Sequence, residues 1–541
     1  MNIRAIFALY KPTFAVNVLA ELKKRRYSGW RLLSWLWHTQ TFESDVQLSD
    51  AERSLAVFLG LLMVGQLALG IGFLVEWARY GTAGAWEVGV ALMLSYSLLW
   101  AHIVVVLAWL VNLLWAITHP KKAARNLVCS ALEWQVRQLR ARHRITVVAV
   151  AGSVGKTTTK LAIADLLATS GLRVRSQAGN YNDRVTVPLI FFGLPQPSLY
   201  NMLAWIKVLG ASQSEIALPY PYDVVVVELG TDGPGQLEQF AYLKPDITVV
   251  TAVSPEHMEY FGTLNAVATE ELTVFDFSKQ VLVNGDDIAG EYLAGREFAE
   301  YSLTSLQADY GATSAQSGLD GQTLAVRLPK GAVSAHIYHM GEQGAKAVLA
   351  ATAVADMLAV PKKVIENGLS QLKPFAGRMQ LLQGIQDSKL IDDTYNASPI
   401  ATIAALDVLY GVRTKQRIAI LGSMNELGDY AKAAHEEVGA YCDPKKLAVV
   451  VTIGQDAKKW LAPVARARGC TVHSFMSPYD AGVYVSRKLE KGAAVLAKGS
   501  QNGVFAEEAL KLLLVNPEDA DKLVRQSSSW LKVKNRQFPK S

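Results

Sequence analysis

The stretch VVAVAGSVGKTTTK, residues 147–160, runs through five valines and alanines, then breaks into Gly-Ser-Val-Gly before a lysine and three threonines. It predicts a buried strand, a tight loop and the start of a helix. Successive backbone N–H groups in such a loop, backed by a helix N-terminus, make an anion nest. Gly152, Ser153, Gly155, Lys156, Thr157 and Thr158 are the expected phosphate-binding residues, with Lys156 reaching the β and γ phosphates and Thr157 ligating Mg2+. The generic pattern asks for one more glycine, five residues before Gly155, where Val150 stands. An ordinary glycine turn before a helix is the plainer alternative.

At 541 residues the chain is long enough for three or four domains of about 150 residues each. Its apolar residues are unevenly spread. Leu55–Trp77 is free of charge until Glu76, and Val88–Ile117 holds no Asp, Glu, Lys or Arg. Both exceed the length of about 18 apolar residues expected of a spanning helix. The first begins too deep in the chain for a signal peptide. Basic residues flank the pair, among them Lys23, Lys24, Arg25 and Arg26 before it and Lys121, Lys122 and Arg125 after it, while the connecting loop holds only Arg79. The expectation is a multi-pass protein of the bacterial inner membrane, with both termini and the catalytic part cytoplasmic. Much of the formal charge of +6 belongs to these flanks, so anionic lipid, not nucleic acid, is the expected partner. The three cysteines, Cys129, Cys442 and Cys470, make no metal spacing.

Beyond residue 144, short β-branched runs alternate with helical stretches: DVVVVELG (223–230), DITVVTAV (246–253) and QVLVNGDD (280–287), then KLIDDTYNASP, RIAILGSM, LAVVVTIG and AAVLAKGS. Polar residues fall at the carboxyl end of each run, where open α/β sheets bind ligands. Two nucleotide-type α/β domains are implied, meeting near residues 374–379. Glu228 ends a four-valine strand, where a carboxylate can face Mg2+, and His257 follows another between Glu256 and Glu259. Alone, each reads equally well as a solvated or structural group.

Taken in order, GSVGKTTT, GNYNDRVTVP, VELG, SPEHMEYFGT, NGDD, AGRM, DDTYNASP, LGSMNELGDYAKAAHEEVG and LAKGS resemble the motifs of the Mur ligase family, and most closely its D-alanyl-D-alanine-adding member. The likeness covers roughly residues 145–510. It implies a central P-loop-type ATPase domain (145–375) and a C-terminal Rossmann-like domain (376–541), preceded by a basic segment (1–54), two transmembrane helices (55–117) and a basic linker helix (118–144). The implied activity is ATP-dependent, ADP-forming ligation of a carboxylate to an amine through an acyl phosphate, in cell-wall precursor synthesis. ATP and Mg2+ are the implied cofactors. Thr157 and Glu228 would hold one Mg2+, and His257 and the residue at 271 the second. Asn180 and Asn182 would lie near the phosphate and acceptor, Arg378 and Asp393 toward the nucleotide, and Asn396 toward the amine, with His435, Lys498 and Ser500 shaping its pocket.

The chain departs from the family in several places. Glu271 stands where the family has a carbamylated lysine, Gly344 and Ala347 where its adenine-binding signature has asparagines, Gln501 where it has an arginine, and Ser398 where it has an asparagine. Residues 1–144 stand in place of the domain that grips a UDP-linked sugar, so a lipid-linked or membrane-associated acceptor is expected, joined to an amino acid or dipeptide, beside other envelope-synthesis proteins. A polyglutamate-synthase-like ligase and a nucleotide-binding scaffold without activity are the alternatives.

Overall fold

Strand β1 (Thr146–Ala151) is the apolar half of the opening stretch. Val148 and Val150 enter one buried cluster, and Val147, Ala149 and Ala151 enter another, so both faces of the strand are covered. This computed structural model describes residues 14–24, 50–94, 106, 109, 118–177, 181–198 and 201–538. With β1, the strands β2 (Val174–Arg175), β3 (Val224–Glu228), β4 (Ile247–Val250), β5 (Val281–Asn284), β6 (Ala299–Ser302), β7 (Tyr310–Gly318), β8 (Gly321–Leu328) and β9 (Gly331–Ile337) form one sheet. Its order is β2-β3-β1-β4-β5-β6-β7-β8-β9. Pairing is parallel as far as β7 and antiparallel through β7, β8 and β9, an extension that the parallel pattern does not foresee. Because β1 lies between β3 and β4, its carboxyl end is a topological switch point, which leaves a crevice there.

The helix Lys156–Thr169 leaves that crevice and packs against the alanine-rich helix Gly341–Met357, both in the same buried cluster. A second sheet follows, built from β10 (Gln380–Gln383), β11 (Lys389–Asp393), β12 (Arg417–Gly422), β13 (Val449–Ile453), β14 (Val472–Phe475) and β15 (Ala494–Lys498). Its order is β10-β11-β15-β12-β13-β14, with only the β10–β11 pair antiparallel. The register sets Asp393 directly beside Lys498 at the carboxyl ends of β11 and β15. Separate buried clusters cover its two faces.

The chain divides into two compact units, Met1–Val128 and Cys129–Ser541, and both sheets belong to the second. In the first, the helix Asp50–Tyr80 is followed by an apolar helix whose described part is Ala85–Leu94. A Cβ on Gly89 would meet the carbonyl oxygen of Gly70 at 3.0 Å, so the two run close together there. The expected membrane hairpin needs correction. Among the described residues a single stretch, Arg53–Tyr80, is long and apolar enough to cross a bilayer. The rest of the second apolar segment, apart from Val106 and Trp109, lies outside the described residues. Multi-pass placement in the inner membrane is therefore withdrawn, and with it the basis for anionic lipid as a partner.

A buried ion cluster ties the last helix, Ser528–Gln537, to the second sheet. Lys534 Nζ lies 2.9 Å from Glu507 and 2.6 Å from Glu508, and Arg525 grips Glu507 with two nitrogens at 2.9 and 2.8 Å. Arg525 also donates to the carbonyl oxygens of Thr394 and Tyr395, directly after β11. Burial alone would raise the Glu508 carboxyl, but Lys534 holds it below the usual range. Replacing Lys534 with methionine keeps the stem and removes the charge, leaving the buried carboxylates under-compensated. The variant is expected to lose about 3–5 kcal/mol in urea unfolding at neutral pH.

Candidate active site

The phosphate loop closes against the end of β4. Gly152 has φ 116°, and a Cβ there would meet Thr251 Oγ1 at 2.4 Å and Ala252 N at 2.8 Å, so only glycine fits. Ser153 N–H donates to Ala252 O (2.9 Å), and Ser254 N–H to Ser153 Oγ (2.8 Å). Gly155, also left-handed at φ 87°, turns the chain into the helix that begins at Lys156.

Carboxylates converge on this loop. Gly152 N–H donates to Glu271 Oε2 at 2.7 Å, which brings the last residue of the helix Leu264–Glu271 under the loop. Lys156 Nζ binds Gly152 O and lies 3.5 Å from Glu256 and 4.0 Å from Glu271. Burial opposes the charge on Lys156, but Glu256, Glu271 and Glu228 together hold its pKa above the ordinary value. Burial also pushes the Glu256 carboxyl well above the usual carboxylate range; Lys156 opposes that shift and Glu271 adds to it. Glu228, at the end of β3, takes Lys160 at 3.2 Å and Asn182 at 3.4 Å. Thr157 is buried and Thr158 half-buried on the first turn. Glu270 turns the other way, accepting the N–H groups of Gly235, Gln236 and Leu237 at 2.5–2.7 Å.

Arg378, Asp393 and Lys498 join Gly155 and Thr158 along one cleft between the two sheets. Lys498 Nζ is 2.5 Å from Asp393 and donates to Asn396 O at 3.1 Å, and Arg378 stacks over the Tyr395 ring at 4.2 Å. Other expected residues lie apart from it. His257, left-handed at φ 45°, sits 3.7 Å from both Asp232 and Glu426, the latter reaching over from the second sheet. His435 is buried and supports a loop: Nε2 accepts from Met424 N–H (3.0 Å), so Nδ1 carries the proton and donates to Ala431 O (2.6 Å). Ser500 Oγ accepts from Asn425 N–H at 3.0 Å in the same loop. The Asn396 side chain is exposed, and Asn180 lies outside the described residues. Ser398 caps the helix Pro399–Gly411, a local role that needs no substrate.

Lys160, Glu256 and His339 belong to the site although motif reading did not single them out. Lys160 follows Lys156 by one helical turn, which was the available signal. Glu256 precedes His257 and is readable only as a flank. His339 carries no sequence signal.

The profile described as Mur ligase middle domain matches residues 150–355, and that described as Mur ligase, glutamate ligase domain matches residues 377–501, together more than half of the chain. The chain belongs to the Mur ligase family. It is 28% identical over 384 residues to the UDP-N-acetylmuramoyl-tripeptide–D-alanyl-D-alanine ligase of Synechocystis sp., covering 70% of this chain and 77% of that protein. The enzyme of the same name from Escherichia coli is 26% identical over 396 residues, covering 71% and 79%. The crystal structure of MurF ligase from Thermotoga maritima in complex with ADP has a TM-score of 0.59 at 21% identity, covering 73% of this chain and 84% of that one. Like other Mur ligases, this chain is an ATP-dependent, ADP-forming amide ligase that uses ATP and Mg2+.

The residues present suit those cofactors. Glu256 Oε1 and Glu271 Oε1 are buried beside Lys156 without hydrogen-bond partners, oxygen donors of the kind that Mg2+ takes. Among the described residues no three metal-binding side chains form a ready cage. That agrees with a Mur ligase site, because Mg2+ on a nucleotide needs only one or two carboxylates besides phosphate and water. Gly152→Ala should force the loop off Thr251 and Ala252. A strain of about 1–3 kcal/mol is expected to weaken ADP binding about 5- to 150-fold by calorimetry, with the circular dichroism spectrum unchanged.

Proposed function

We propose that this Mur ligase joins a peptide carboxylate to the amine of an amino acid or dipeptide through an acyl phosphate, in the synthesis of a cell-wall precursor. What supports this reading most is one convergence: the phosphate loop, held by Glu271 through Gly152 N–H, shares a single cleft through Gly155 and Thr158 with Arg378, Asp393 and Lys498 of the second domain. The names of its relatives, which add a D-alanyl-D-alanine dipeptide to a UDP-linked tripeptide, point the same way.

A carboxylate is a poor electrophile, so one of its oxygens must first take the γ phosphoryl group of ATP, breaking the bond to ADP. The amine then attacks the acyl carbon, phosphate leaves, and the proton lost by the nitrogen passes to solvent or phosphate. Two anions must meet in the first step, and Lys156, fixed beside Gly152, supplies a cation where they do. In this reading the loop N–H groups bind phosphate, Thr157 and Glu228 hold one Mg2+, and Glu271 with Glu256 or His257 holds the second. Mg2+ neutralises phosphate charge and polarises the γ phosphoryl group. Arg378 and Asp393 bind the nucleotide, Asn182 faces the acceptor, and Asn396 and Lys498 face the amine. His435 and Ser500 act through the loop they support. We further propose that the chain is jointed near residues 375–376, where Gly377 turns left-handed before β10.

The acceptor's handle is open to test, because the matched profiles begin at residue 150. Purified protein given ATP, Mg2+, UDP-N-acetylmuramoyl-tripeptide and D-alanyl-D-alanine should release ADP and phosphate in step with amide product. ATP consumption without amide across a panel of carboxylates and amines would sink the ligase reading. Lys156→Ala should cut ligation about 10²–10³-fold with the fold retained. Because Glu271 already supplies a carboxylate where a carbamate would otherwise be needed, turnover should be the same in degassed buffer and with added bicarbonate. Glu271→Gln keeps the size and removes the anion, so it should raise the Mg2+ concentration needed for half-maximal turnover. A bicarbonate response in the parent, or unchanged Mg2+ dependence in the variant, counts against this role.

A further inference from the structure

The cleft beside the phosphate loop contains a histidine that the ligation chemistry does not use. His339 follows β9 and lines the same cleft as Gly155 and Thr158. It is 3% exposed, and neither ring nitrogen has a hydrogen-bond partner among the described residues. Two orphaned nitrogens on one buried side chain are uncommon and call for a partner.

The ring is held in place. Gln322 donates to His339 O and Gly341 O, both at 2.8 Å, which fixes the turn, and Phe375 meets the imidazole edge-on at 6.1 Å between centroids. Met379, Ala404 and Val408 add an apolar wall to the same cleft. A slot of this kind, with an apolar wall and one convergent polar ring next to a phosphate loop, suits a flat heteroaromatic group attached to phosphates. Position 344 bears on the same point. A Cβ on Gly344 would come within 3.0 Å of both the Cβ and the backbone carbon of His339, so the turn that carries the imidazole packs directly on position 344 and leaves no room for a side chain there.

Resting on the ligase reading for the presence of a nucleotide, we infer that His339 holds the purine base of ATP, taking over at this turn a task that Gly344 and Ala347 have no side chain to perform. Burial lowers its pKa to about 4, so the ring is neutral at neutral pH and offers one donor and one acceptor. Adenine presents an amino donor and ring-nitrogen acceptors to meet them.

The test separates base from phosphate. ADP and inorganic pyrophosphate, each with Mg2+, are titrated calorimetrically into the parent and into His339→Phe and His339→Gln, with thermal unfolding as a check on the fold. His339→Phe keeps an aromatic ring without nitrogens and should weaken ADP about tenfold while pyrophosphate changes less than about twofold. His339→Gln, which keeps a donor and an acceptor, should recover most of the ADP affinity. The imidazole nitrogen resonances of His339 should move with ADP and not with pyrophosphate. Unchanged ADP binding in His339→Phe, or equal weakening of both ligands, overturns the inference. A parent that binds neither ligand overturns the ligase reading and this inference with it.

Discussion

The hydrogen bond from Gly152 to Glu271 joins three parts of the site that would otherwise be independent. On one side is a loop whose left-handed glycine leaves no room for a side chain against Thr251. On the other is a helix end that carries a carboxylate into a buried position. Lys156 completes the set by binding Gly152 O and facing both Glu256 and Glu271. Buried charge of one sign is costly unless paired, and here the ammonium and the carboxylates meet that requirement together. The same neighbours that stabilise the lysine leave carboxylate oxygens free beside it for a divalent ion.

The second sheet supplies a counterpart of similar construction. Parallel register between β11 and β15 puts Asp393 beside Lys498, and the pair is buried at the mouth of the cleft. Arg525, anchored on Glu507 and held at its carbonyl oxygen by Lys534, braces the backbone immediately after Asp393. Cleft geometry therefore depends on a C-terminal helix far from it in sequence.

Much of this could be read from the residues alone. Runs such as DVVVVELG and AAVLAKGS show both the buried strand and the polar residue at its end, because strand ends at a switch point must carry the chemistry. Local glycine geometry makes the phosphate loop equally legible. The antiparallel extension β7–β9 was not, since its alternation marks strands without saying how they pair. His435 looked like a substrate group because polarity is visible in sequence, whereas its two partners, Met424 N–H and Ala431 O, are backbone atoms that only the fold brings to it. His339 was silent for the opposite reason: Phe375, which packs against its ring, lies well beyond the next helix in sequence. At the N-terminus hydropathy marked two long apolar segments, and among the described residues one stretch, Arg53–Tyr80, forms a helix long enough to cross a bilayer.

The central claim is that a carboxylate oxygen is transferred to phosphate during ligation. Its most direct test uses an acceptor with its reacting carboxylate labelled with ¹⁸O, turned over with unlabelled ATP, and mass spectrometry of the inorganic phosphate released. Activation through an acyl phosphate predicts one ¹⁸O atom in each phosphate formed with amide product. Phosphate carrying no label, while amide accumulates, would contradict the account.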